Sequence, residues 1–300
     1  MQGICEGRVV VVTGAGRGVG RGHALEFARQ GAKVVVNDLG GDVSGEGGSL
    51  SSAQEVVEEI RAMGGEAIAN GADVSNWEQA REMIQSAVDT YGRLDVLVNN
   101  AGILRDRMMI NMTESEWDVV VKVLLKGTFV PTHHAANYWR AQSKAGTPVD
   151  SPRIINTASG SGLFGNIGQS NYGAAKAGVA SFTIITAKEL QRYNISVNAI
   201  SPAARTRMTE DLGYGADRTE GEFDFTHPDN VAPAVVWLGS TESEGITGRV
   251  FELRGGVIRI AQGWTHGPRI EQAERWDPRK LGPVIRQLVN DAAEPASLAV

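Results

Sequence analysis

Short apolar runs alternate with longer segments of helical period along the chain. The runs fall at residues 9–12, 33–37, 67–70, 95–98, 153–157, 196–200 and 249–253. The first is four consecutive valines, apolar and β-branched at every position, as a strand buried on both faces requires. Between the runs, apolar positions recur at helical spacing. In 51–63, Ala53, Val56, Val57 and Ile60 share one face, and Glu55, Glu58, Glu59 and Arg61 lie opposite. Strand and helix in alternation imply right-handed βαβ crossovers. The predicted fold is α/β and Rossmann-like: a doubly wound, seven-stranded parallel sheet with helices on both faces.

Residues 1–256 suffice for this domain, and 257–300 form a C-terminal extension. Asp277-Pro278 is an N-cap and first-turn pair, so a helix is expected from Pro278 towards Asn290, with 292–300 frayed. The extension is expected to pack on the same domain, over the active-site cleft, or on a neighbouring subunit. The glycine-rich stretch 39–49 reads as a surface loop after the second strand.

Composition narrows the function. The 300 residues are 42% hydrophobic with a formal charge of -6, which argues against a nucleic-acid or anionic-membrane surface. The single cysteine, Cys5, excludes an internal disulfide framework and fits a reducing, cytoplasmic setting. No metal site is expected. No apolar run is long enough to span a bilayer, and the first residues carry no signal-type segment.

The chemistry sits at strand ends. Thr13 to Gly20 reads TGAGRGVG directly after the valine run, so Gly14, Gly18 and Gly20 allow a tight turn into a helix whose N–H groups meet a pyrophosphate. Asp38, eighteen residues after Gly20, can accept hydrogen bonds from the adenosine ribose and repels a 2′-phosphate. Arg17 pulls the other way, towards NADP; the carboxylate addresses the ribose directly, so NAD is preferred. Asp73 can hold the adenine amino group or serve as a loop aspartate before a helix. Asn99-Asn100-Ala101-Gly102 follows the fourth strand, where ligands of open α/β sheets collect.

Tyr172 and Lys176 are four residues apart in an Ala-rich segment and share one helix face, while Ser159 ends the strand RIINTAS. A phenol must fall by about three pKa units, about 4 kcal/mol, to exchange protons efficiently at neutral pH. An ammonium at ~4 Å in an effective dielectric of ~20 contributes ~4 kcal/mol. Tyr172 is then the general acid/base, Lys176 the charge that lowers its pKa while binding ribose, and Ser159 the donor to the substrate oxygen.

With TGAGRGVG, NNAG, the strand-end serine and YGAAK in this order, the chain resembles the short-chain dehydrogenases/reductases over about residues 5–256. More narrowly, VVVNDLGGD, NNAGILRDRM, GNIGQSNYGAAKAG, ISPAARTRMT and NVAPAVVWL resemble the (3R)-hydroxyacyl-CoA dehydrogenase part of the type 2 peroxisomal multifunctional enzymes, without their hydratase and carrier domains. The resemblance implies an NAD-dependent interconversion of a secondary alcohol and a ketone, on a 3-hydroxyacyl-CoA or a molecule shaped like one. An NADPH-dependent ketoacyl, steroid or polyol reductase and a catalytically silent dinucleotide sensor are the alternatives.

The resemblance further implies that Val19, Val74, Asn99, Ala101 and Gly102 line the cofactor beside Tyr172 and Lys176, and that Thr206, after Pro202, holds the nicotinamide carboxamide. Arg105, Arg107, Arg205 and Arg207 flank the mouth and can attract CoA phosphates. Residues 208–225, with Tyr214, Phe223 and Phe225, correspond to a substrate lid. Relatives pair through the helices after the fourth and fifth strands, which implies a homodimer or homotetramer. There is one departure: the family's relay asparagine is replaced by Leu124, which can neither donate nor accept a hydrogen bond. The proton relay then relies on backbone groups and water, or takes another route. His133 and His134 read as helix-surface or interface residues rather than substitutes.

Overall fold

The computed structural model describes residues 3–40, 50–205 and 223–298. Its sheet has the order β3-β2-β1-β4-β5-β6-β7-β8. The seven expected strands are present: β1 (Val9–Thr13), β2 (Lys33–Asn37), β3 (Glu66–Asn70), β4 (Val96–Asn99), β5 (Arg153–Thr157), β6 (Ser196–Pro202) and β7 (Val250–Arg254). All their pairings are parallel. The extension adds an eighth strand, β8 (Val257–Ala261), antiparallel to β7. Gly255-Gly256 is therefore a two-residue hairpin turn, with Gly255 at φ 53°, and the expected end of the sheet is the turn into its edge strand.

Strand alternation distributes the valines to both faces. Val10 and Val12 pack with Val34, Val36, Ala24 and Phe27 beneath α1 (Gly18–Arg29), α2 (Ser51–Ala62) and α8 (Ala232–Gly239). Val9 and Val11 pack with Val35, Met83 and Trp139 beneath α3 (Trp77–Tyr91) and α5 (Gly127–Lys144). Helix ends follow local chemistry. Asn76 caps α3 by accepting from the Glu78 and Gln79 amides, and Gly92, at φ 81°, ends it. Thr113 and Glu116 form a capping box at α4 (Glu114–Val121).

Three further helices complete the frame: α6 (Gly160–Phe164), α7 (Ser170–Leu190) and α9 (Leu281–Asp291). Asp277 caps the 3₁₀ turn Pro278–Lys280 that leads into α9. Two buried titratable groups are chemically quiet. Burial pushes the Cys5 thiol up to about 12 and the His23 imidazole down to about 3, so both stay neutral near pH 7. Among the described residues, no helix is long and apolar enough to cross a membrane, and no cluster of His, Cys, Asp and Glu can hold a metal ion.

The chain runs β1, β2, β3 in one direction across the sheet and then returns to place β4 on the other side of β1. The carboxyl ends of β1 and β4 thus flank the point where strand order reverses, the crevice in which open α/β sheets hold ligands.

Candidate active site

The turn between β1 and α1 is built for close backbone approach. Gly14 has φ 61°, and a Cβ there would lie 2.7 Å from the Ala101 Cα. A Cβ on Gly20 would collide with the Gly14 carbonyl, and one on Gly16 would lie 2.8 Å from the Asp38 carboxylate. The N-terminus of α1 has no side-chain cap, no acidic residue in its first turn, and an exposed Arg17 in extended conformation at its head. Uncapped first-turn N–H groups are what a phosphate needs.

Thr13 and Asn100 clamp this turn to the one after β4, a role the sequence reading did not assign. Thr13 Oγ1 accepts from the amides of Asn100 (2.9 Å) and Ala101 (3.1 Å). Asn100 Nδ2 donates to the carbonyls of Thr13 (2.9 Å) and Gly14 (3.1 Å). The only signal in the sequence was position: a hydroxyl before the first glycine and an amide before Ala101.

Asp38, directly after β2, faces the glycine turn. Its Oδ2 accepts from the Gly16 amide at 2.9 Å and its Oδ1 from the Gly40 amide at 2.7 Å. Asp73 accepts from the Ser75 amide and hydroxyl at 2.8 and 2.6 Å, and Val74 is buried beside it. The aspartate thus shapes the turn before α3 as well as standing near the end of β3.

At the far side of the crevice, Ser159, Tyr172 and Lys176 come together. Ser159 follows β5, caps α6, and its hydroxyl favours the Tyr172 phenolate. Lys176 is 4% exposed and donates from Nζ to the Thr157 carbonyl at 2.6 Å, 5.7 Å from the centre of the Tyr172 ring. Burial pushes the Lys176 ammonium down to about 8. Burial also pushes the Tyr172 phenol up, the Ser159 hydroxyl opposes that, and the nearby Asp106 charge adds to it. The direction is the reverse of the expected one. The ammonium is turned towards a backbone carbonyl, and loss of hydration dominates at the phenol.

Beneath this group runs a buried amide network. Asn99 Nδ2 donates to Thr132 Oγ1 and to Asn156 Oδ1, both at 2.9 Å, and Asn156 Nδ2 donates to Thr183 Oγ1 at 2.9 Å. Asn99 Oδ1 and Thr157 Oγ1, at the carboxyl ends of β4 and β5, are buried without a partner. Buried polar atoms in folded chains are nearly always paired. Two such oxygens at the carboxyl ends of neighbouring strands fit a site that receives polar ligand atoms.

A family model described as short chain dehydrogenase matches residues 8–215. The chain belongs to the short-chain dehydrogenase family. Such proteins bind a nicotinamide dinucleotide and act as oxidoreductases on CH–OH groups. Hydroxyacyl-CoA dehydrogenase ChsB1 of Mycobacterium tuberculosis is 42% identical over 289 residues, covering 93% of this chain and 88% of that protein. A peroxisomal hydratase-dehydrogenase-epimerase of Neurospora crassa is 42% identical over 293 residues, which are 97% of this chain but 31% of that protein. This chain therefore spans about a third of that multifunctional relative. The crystal structure of a short chain dehydrogenase from Mycobacterium avium superposes with a TM-score of 0.89 at 52% identity, covering 99% of each chain.

In this short-chain dehydrogenase, Leu124 lies in a π-helical turn, Lys122–Lys126, and is 1% exposed. It packs with Ile103, Val120 and Ala175 against Tyr172, and its carbonyl accepts from Thr128 Oγ1 at 2.7 Å. A leucine here fills the apolar wall behind the phenol.

Of the mouth arginines, Arg107 pairs with Glu116 at 3.0 Å and Arg205 with Asp224 at 2.8 Å. Phe223 and Phe225 are exposed and meet edge to face, 4.8 Å between ring centres. Thr206, Arg207, Tyr214 and most of the expected lid lie outside the described residues. Pro202 ends β6 in register with Leu253. His133 and His134 join Trp77 and Phe129 in an aromatic cluster on the outer side of α5 rather than meeting Tyr172. The extension returns to the site: Leu298 fills the space that a side chain at Gly160 would take, one residue from Ser159.

Proposed function

We propose that this short-chain dehydrogenase uses NAD to interconvert a secondary alcohol and a ketone, on a 3-hydroxyacyl-CoA or a closely similar molecule, with Tyr172 as general acid/base. The observation that supports the reading is the gathering of Ser159, Tyr172 and Lys176 at the carboxyl edge of the sheet, with Lys176 Nζ 5.7 Å from the centre of the Tyr172 ring. When bound, the nicotinamide supplies the hydride acceptor. In oxidation, the carbinol hydrogen leaves carbon with its electron pair, the O–H proton passes to Tyr172 Oη in its phenolate form, and the C–O bond becomes C=O. In reduction, the neutral phenol gives that proton to the oxygen while carbon receives the hydride that a reduced nicotinamide would supply. Ser159 donates to the substrate oxygen, where charge develops. A phenol raised by burial is the protonated acid that carbonyl reduction needs at neutral pH.

Asp38 favours NAD: its carboxylate beside Gly16 accepts ribose hydroxyls and repels a 2′-phosphate. The substrate class is drawn from the relative named as a hydroxyacyl-CoA dehydrogenase, of which this chain spans 88%. A homodimer or homotetramer is part of the same reading.

Initial rates with NAD and NADP, on 3-hydroxyacyl-CoAs and on simple secondary alcohols, test it. NAD-linked turnover preferring the CoA thioesters is the expected result, and preference for a free alcohol or sterol overturns the substrate class. Asp38→Ala is expected to lower the NAD/NADP preference in kcat/KM by about 10- to 100-fold, the worth of a charged hydrogen bond. An unchanged ratio removes Asp38 from cofactor selection.

A further inference from the structure

The segment after β4 is laced to the loop that precedes Tyr172. The Arg107 amide donates to the Gly168 carbonyl at 2.8 Å, and Arg107 forms a parallel bridge with Gln169. Asn171 is fully buried, donates to the carbonyls of Arg105 (2.9 Å) and Glu116 (3.0 Å), and accepts from the Tyr172 amide at 2.7 Å. At the centre is Gln169, 5% exposed. Its Nε2 donates to Asp106 Oδ2 at 2.7 Å, while its Oε1 accepts from Ser161 Oγ at 2.7 Å and Asn166 Nδ2 at 2.9 Å. The Ser161 amide in turn donates to Ser159 Oγ at 3.3 Å.

An ionised carboxylate only accepts hydrogen bonds, so Asp106 dictates which end of the Gln169 amide faces it. The opposite end, a carbonyl oxygen, then takes the Ser161 and Asn166 donors. Reversal of that amide would set N–H groups against N–H and O–H donors and release Ser161 from its place beside Ser159. We propose that Asp106 is a positioning residue for the acid/base pair: through Gln169 it aligns the loop carrying Ser159 and Tyr172, and it brings a negative charge to that loop. The inference rests on the reading of Tyr172 as the acid/base.

Among the described residues, three charged side chains bear on the phenol. Lys176 lies on its own helix, Asp106 in the segment after β4 adds a negative charge that raises the phenol, and Glu116 of α4 is neutralised by Arg107. Arg105 and Arg107 flank Asp106 in sequence. A negative charge beside a phenol opposes its ionisation. Burial holds the Asp106 carboxyl above its usual range, and the Gln169 hydrogen bond offsets only part of that.

Near-ultraviolet phenolate absorbance, titrated against Tyr172→Phe as the blank, isolates Tyr172 from the other four of five tyrosines. Asp106→Asn is expected to shift the Tyr172 titration and the limb of the oxidation-rate profile that follows it to lower pH, by roughly half a unit. Asp106→Glu is expected to restore both. Gln169→Leu keeps the charge and cuts the tie, so kcat falls about 10-fold with the limb in place. A titration unmoved in a folded Asp106→Asn, or unchanged kcat in Gln169→Leu, overturns the proposal. Should Asp106→Asn fail to fold, Gln169→Leu and Asp106→Glu decide it alone. Full activity in Tyr172→Phe overturns the underlying reading instead.

Discussion

Tyr172→Phe is expected to lower kcat by about 10²- to 10⁴-fold, the usual worth of a positioned general acid/base, with little change in stability or in cofactor binding. The ring is half-buried against Leu124 and its apolar neighbours, and phenylalanine preserves that packing. What is lost is the oxygen that exchanges the proton, with its polar interaction with Ser159. A neutral hydrogen bond is worth about 1 kcal/mol, so the melting temperature should fall by only a few degrees. Stopped-flow or steady-state turnover, together with quenching of tryptophan fluorescence by NADH, separates the two effects. Retention of full activity would place the acid/base elsewhere. Weak NADH binding in a folded variant would mean that Tyr172 serves the cofactor more than the proton.

The parts of the fold legible in the sequence are those dictated by local pattern. A run such as Val9 to Val12 has no polar face to show water, so it can only be a central strand, and its neighbours confirm it at 1% exposure or less. The edge strand β8 was not legible because three of its apolar side chains, Val257, Ile258 and Ile260, are 47, 66 and 42% exposed. It is held to β7 by backbone bonds, and the Gly255-Gly256 pair that turns the chain also reads as a terminator.

The site divides in the same way. Gly14, Gly20 and Asp38 were legible because a turn that leaves no room for a Cβ restricts residue type. The partner of Lys176 was not, since it is the Thr157 carbonyl and any residue supplies one. Asp106 and Gln169 escaped because their bond joins positions 63 apart in sequence and follows no repeating spacing. The direction of the Tyr172 shift escaped for a related reason. Spacing on a helix shows that two side chains share a face, but the sign of a shift depends on which of burial and charge is larger, and that depends on where Nζ points.

Lys176→Met is expected to remove most of the activity while leaving the fold about as stable near pH 7 and abolishing one part of its pH dependence. At 5.7 Å from the phenol ring and an effective dielectric of ~20, the ammonium contributes ~3 kcal/mol to the phenolate, about 10²-fold in rate. The same cation is costly to bury. Its pKa falls from 10.5 to about 8 on folding, a net penalty of about 3 kcal/mol at neutral pH. Methionine removes that penalty but also loses the hydrogen bond to the Thr157 carbonyl, at a cost of about 1–3 kcal/mol. Because the folded chain releases this proton near pH 8 and the unfolded chain holds it to above 10, the unfolded state binds more protons in between, and parent stability rises with pH. The Tyr172 phenol, raised in the fold, reverses the trend above about pH 10. Urea unfolding of both proteins should therefore show a gain of about 2–3 kcal/mol between pH ~8 and ~10 in the parent that the variant lacks. Parallel profiles would mean that the ammonium is hydrated in solution, and the charge argument for Lys176 would fail with it.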